Sequence, residues 1–162
     1  MAQKITVSTE QTMHLHPEDL HLYVLGRLLP DKARTVESHV SGCDFCNDGL
    51  TDAAVFVRDL SRLTVGHEDS RERRQEHRIP TDDPASIRMI SPFSIAIIEV
   101  RILDASKNGL KVRTPERLSR GTIIQVHMKC DIILGEVRHC TKRGENFEAG
   151  IAIYDSISRK ET

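Results

Sequence analysis

The stretch Val100-Arg101-Ile102-Leu103-Asp104-Ala105-Ser106-Lys107-Asn108-Gly109-Leu110-Lys111-Val112 decides how the second half of the chain is read. On its approach, Ala96, Ile98, Val100 and Ile102 alternate with Ile95, Ile97, Glu99 and Arg101. On its exit, Leu110 and Val112 alternate with Lys111 and Arg113. A period of two puts one set of side chains on each face of a strand. Between the two runs stands Asp-x-Ser-x-x-Gly. It is an acceptable turn, with Asn108-Gly109 offering residues that tolerate a positive φ.

The same period continues outward. Ile124, Val126 and Met128 alternate with Gln125 and His127, and Ile151 and Ile153 close the series. Ser119-Arg120-Gly121 and Lys142-Arg143-Gly144 are turn signals between runs. Short strands at this spacing predict a small antiparallel barrel or sandwich after Pro80.

Upstream lies Glu72-Arg73-Arg74-Gln75-Glu76-His77-Arg78, with Arg74 and Arg78 as an Arg-x-x-x-Arg pair. A ligand with phosphates and aromatic bases needs cations for the phosphates, planar groups for the base faces and an acceptor for a base edge. Guanidinium meets the first two needs, because its fork makes two-point charge-assisted bonds and its plane stacks. A carboxylate meets the third, and Gly admits close backbone approach. Taken singly, each stretch also reads as something plainer, a solvated linker and a common turn. In this order, with Arg78-Ile79-Pro80, Gly109-Leu110-Lys111-Val112, Gly121 and Gly150-Ile151-Ala152-Ile153, the span from Glu72 to Asp155 resembles a PilZ domain, the bacterial receptor for cyclic di-GMP. The resemblance implies that Arg74 and Arg78 hold phosphate and stack on guanine. It implies that Asp104 accepts from the guanine edge and that Ser106 and Gly109 line the turn. It also implies Arg73 as an auxiliary phosphate contact.

The first half reads differently. From Pro17 to Leu63 the apolar spacing is helical. Leu20, Val24 and Leu28 share one face of a helix over 18–29. After the Pro30-Asp31 break, Ala33, Val36 and Val40 share another, and Ser41-Gly42 ends it. A third helix starts at Asp44 with Cys46, Leu50, Ala53, Val57 and Leu60 as its stripe. At the joint stands His39-x3-Cys43-x2-Cys46. Zinc takes four tetrahedral N/S ligands, and these three can reach one point, with His14, His16 or His21 open as the fourth. A helical unit of this size buries little, so a metal staple is useful. Ordinary thiols beside a surface His are the plainer reading. A redox pair is another, but it lacks the usual βαβ setting.

His14-Leu15-His16-Pro17-Glu18-Asp19-Leu20, Leu22-Tyr23-Val24-Leu25-Gly26-Arg27-Leu28 and Glu37 to Cys46 together resemble the zinc-binding anti-sigma domains. Matching Tyr23 and Gly26 to that pattern implies His14, His39, Cys43 and Cys46 as ligands of a structural zinc, with His16 the competitor for the first place. Redox-sensing members join the first helix to the later Cys pair by a disulfide. Here the first position is His, so that switch is not available. The family's partner, an extracytoplasmic-function sigma factor, is the implied partner of this half.

Formal net charge is −1, which gives no global field for nucleic acid or an anionic membrane. The run Ile95-Ala96-Ile97-Ile98 is too short to span a bilayer, and residues 1–10 lack an apolar signal core. Aromatic residues make up 4% of the chain and Trp is absent, so the cores must be built of Ile, Leu and Val. No nucleophile elbow, Gly-rich phosphate loop or metalloprotease motif is present. Cys130 and Cys140, near His127 and His139, are read as plain thiols, because His139 and Cys140 are adjacent on a strand and face opposite sides. The expectation is an α+β chain: a flexible 1–13, a three-helix zinc domain over 14–63, a linker over 64–73, an antiparallel six- to seven-stranded PilZ barrel over 74–157 and a flexible 158–162. It is expected to be a bacterial cytoplasmic signalling protein rather than an enzyme, with cyclic di-GMP as ligand. The alternative is an adaptor that binds proteins and has lost the nucleotide.

Overall fold

The computed structural model describes residues 13–64 and 77–159. Residues 1–12, 65–76 and 160–162, most of the expected flexible termini and linker, lie outside the described residues, whereas Ser158 ends a strand. Among the described residues, three helices precede six strands. These are α1 (Pro17–Val24), α2 (Pro30–Gly42), α3 (Asp44–Thr64), β1 (Ile79–Ser91), β2 (Ile97–Ala105), β3 (Gly109–Thr114), β4 (Ile123–His127), β5 (Asp131–Arg143) and β6 (Asn146–Ser158). The strands close into an antiparallel barrel in the order β1-β2-β3-β6-β5-β4. Among the described residues, no helix is long and apolar enough to cross a membrane.

The first helix is shorter than its apolar spacing predicts. It stops at Val24 because Gly26 takes φ +70°. Arg27 N–H then donates to Leu22 O and Gly26 N–H to Tyr23 O, the paired bonds of a Schellman cap. Leu28 is buried from the following loop rather than from the helix. Pro30 opens α2 at its first position, where no N–H is needed. Leu29 is the cap residue, and Asp31 lies inside the first turn.

Inside the barrel, Ile87, Ile98, Val100, Ile102, Val112, Ile124, Val126, Val137 and Ile151 form one apolar core. A second core joins the helices to the barrel wall. Leu20, Val24, Val36, Val40, Leu50 and Ala54 pack with Ile90, Ile123 and Leu134, which point outward from the strands. The helical unit is thus docked on the outer face of β1, β4 and β5. That explains why β4 is buried at Ile123, Ile124, Gln125 and Val126 in succession. Alternate residues face the barrel interior and the helices.

Polar groups fix the seam. Gln125 is 2% exposed, yet its amide donates to Tyr23 O at 2.6 Å and Val24 O at 2.9 Å. Those carbonyls end α1, and Tyr23 O also accepts from Gly26 N–H in the cap. Glu37 accepts from the Tyr23 hydroxyl at 3.0 Å and from Arg88. Burial, with Glu37 beside it, pushes the Tyr23 hydroxyl well above its ordinary range. At the far end, Glu136 accepts from the Tyr154 hydroxyl at 2.5 Å and pairs with Arg62 of α3 at 3.5 Å. A Cβ at Gly26 would come within 2.8 Å of the Ile132 side chain, so this cap also sits directly on the barrel.

Gln125→Met keeps the volume but strips both donors from the α1 carbonyls. The expected loss is about 1–3 kcal/mol, measured by urea unfolding, with the helical and sheet signals lost in one transition. His127 adds a pH dependence. Burial, then the cations Arg88 and Arg159, lower its pKa from 6.5 to about 4. Between those values the unfolded chain binds the proton first, so stability is full above about pH 6.5 and falls as the pH drops toward 4. His127→Gln should flatten the pH dependence of the unfolding midpoint across that window.

Candidate functional site

The Asp104–Gly109 turn joins β2 to β3. Ser106 N–H donates to Gly109 O at 2.8 Å, and its hydroxyl reaches the same oxygen at 3.4 Å. Ile153 N–H donates to Asn108 O at 2.9 Å, which ties the turn to β6. Gly109 does not take a positive φ, contrary to the turn reading. Its role is space: an added Cβ would stand 3.3 Å from Ile151 O.

Asp104 owes its orientation to a bulge. Ile102 points inward and is 1% exposed, so in a regular strand Asp104 would point inward too. The register shifts between Ile102 and Asp104, and Asp104 turns to the outer face. There its carboxylate accepts from Arg78 at 2.9 Å. Arg78 immediately precedes β1, whose Pro80 pairs with Asp104. The structure therefore brings Arg78, Asp104, Ser106 and Gly109 to one end of the barrel. Arg73 and Arg74 lie outside the described residues. The Arg78–Asp104 pair is solvent-facing and is worth at most about 1 kcal/mol. An anion with more than one oxygen can therefore compete for Arg78 at little cost.

Beside them on the outer face, Lys111 pairs with Glu148 at 3.3 Å, and Arg143 reaches the same carboxylate at 3.7 Å. The PilZ domain family model matches residues 72–161. The chain belongs to the PilZ domain family. That family comprises receptors for cyclic di-GMP, and the match takes in both the Arg segment and the turn. No curated protein matches the chain.

The helical unit of this PilZ protein carries a second constellation. His14 precedes α1, His39 lies in the last turn of α2, Cys43 caps α2 and Cys46 lies in the first turn of α3. Their ligand atoms all lie within 4.8 Å of one another. His14 Nδ1 is 3.5 Å from Cys43 Sγ and 3.6 Å from Cys46 Sγ. A tetrahedral zinc with Zn–S about 2.3 Å and Zn–N about 2.0 Å sets S and N about 3.5 Å apart. His39 Nε2 is buried with no hydrogen-bond partner. The donor set and that orphaned nitrogen fit a metal ion. Burial raises the Cys46 thiol pKa, which a cation would reverse. His16 is engaged elsewhere: its Nδ1 accepts from Glu18 N–H and caps α1.

Sequence reasoning missed the seam residues Gln125, Arg88, Glu37, Glu136 and Tyr154. Their only sequence signal was an uninterrupted apolar run, Ile132-Ile133-Leu134, where one-sided burial predicts alternation. In His39→Ala, Cys43 and Cys46 are expected to gain reactivity toward a thiol reagent without loss of the barrel's sheet signal. Unchanged labelling would show that His39 does not share their site.

Proposed function

We propose that this PilZ protein is a non-catalytic bacterial signalling receptor of the cytoplasm, which binds cyclic di-GMP through Arg73, Arg74, Arg78, Asp104, Ser106 and Gly109. The observation that carries the reading is the placement of Arg78 against Asp104 at the rim of the Ser106–Gly109 turn. One cation, one guanine-edge acceptor and a tight backbone platform stand together there, inside the family-matched span. On binding, Arg78 exchanges its carboxylate partner for phosphate, and Asp104 is released to accept from guanine.

In the same reading His14, His39, Cys43 and Cys46 hold a structural zinc that ties α1, α2 and α3 together. The stapled helices then serve a protein partner. The anti-sigma resemblance implies an extracytoplasmic-function sigma factor. Exposed Phe45, Phe56 and Leu63 on α3 are the apolar groups available to it.

Calorimetry with cyclic di-GMP on the full chain should show saturable binding, and Arg78→Ala should weaken it at least about tenfold, the loss expected for a charge-assisted bond. Absence of binding by the unaltered protein would leave the adaptor reading in its place. Metal analysis of reduced protein should return about one zinc per chain, because a structural site is normally filled. Chelation should lower the unfolding midpoint, and Cys46→Ser should abolish the metal content.

A further inference from the structure

A second bulge lies three strands along the sheet from the first. In β5 the register shifts between Val137 and His139. Val137 is fully buried in the barrel core, so regular alternation would turn His139 inward as well. The extra residue reverses this: His139 is exposed, and Cys140 packs against the core. Thus two one-residue bulges, at Asp104 and at His139, each re-aim a side chain onto the outer face.

They re-aim it onto the same line. Asp104 pairs with Lys111, Lys111 with Gly150, and Gly150 with His139. These four residues form one row across β2, β3, β6 and β5. At about 4.8 Å per strand, Asp104 and His139 are about 14 Å apart along the curved surface. The row between them is kept low at Gly150. A Cβ there would fall on the His139 ring, so the imidazole lies against the glycine backbone. Among the described residues the ring has no hydrogen-bond or ion-pair partner. An exposed aromatic ring laid on a glycine is a ready stacking surface for a purine. Lys111, between the two ends, brings a cation to the path.

We infer that His139 is a further ligand-binding residue of the nucleotide site: it stacks on the purine that Asp104 does not hold, and Gly150 is the floor that lets it lie flat. This rests on the cyclic di-GMP reading above. A ligand with two purines on opposite sides of a phosphodiester ring is the chemistry that a two-ended row fits. A mononucleotide fills one end alone.

The test is calorimetry on the full chain with cyclic di-GMP and, separately, with GMP. His139→Ala should weaken cyclic di-GMP binding by about 5- to 100-fold, while His139→Phe, which keeps a stacking face without titrating, should restore most of it. Gly150→Ala should resemble His139→Ala, with the unfolding midpoint reported alongside. GMP binding should be weak and indifferent to His139. If the unaltered protein binds cyclic di-GMP and Arg78→Ala abolishes it, but His139→Ala binds as tightly as the unaltered chain, the inference is overturned and the receptor reading stands. If the unaltered protein does not bind at all, both fall. Equal loss in His139→Phe and His139→Ala would also overturn stacking as the role.

Discussion

The amide of Gln125 holds the molecule in its observed form. It sits in a strand whose neighbours face the barrel core on one side and the helical core on the other. A polar group at such a place is tolerable only when its hydrogen bonds are made. Its donors meet the last two carbonyls of α1, and its oxygen lies 2.9 Å from His127 Nε2. The barrel therefore completes a helix, and the helix satisfies a barrel residue. Neither partner can leave without stranding buried polar groups. The helical unit and the barrel share this buried seam. The helices form an outer layer on one side of the barrel, and the Asp104–Gly109 turn lies on strands that layer does not cover.

Much of the strand half was legible because burial on one face leaves a period of two. The runs around Val100, Leu110 and Ile124 carried it. Two strands left no such trace. β1 contains Pro80 and Pro84 among polar residues, and its inward Ala85 and Ile87 are too few to set a pattern. β5 is apolar on successive residues because each face meets a different core. The Schellman cap at Gly26 was misjudged for a related reason. Apolar spacing of four residues runs through Leu28, but a glycine in the left-handed region ends a helix whatever follows it. The candidate sites were legible as lists of residue types. Their geometry was not, since it depends on chain segments far apart in sequence meeting around the His39–Cys46 joint and the Asp104 turn.

The bulges show how much a single residue of register does. Parity alone would hide Asp104 and His139 inside an apolar barrel, where a carboxylate without a partner costs several kcal/mol. One inserted residue in each strand puts them on the surface, while the core on either side keeps its alternation. The sequence records this as Ile102-Leu103-Asp104 and Val137-Arg138-His139, each with a core residue two places before the re-aimed one.

Arg62 ties the end of α3 to the barrel wall. Its contact with Glu136 holds the last turn of α3 against β5, and the chain re-enters the described structure just before β1. A partner that pulled α3 away would have to break this pair, on the same strand that carries His139.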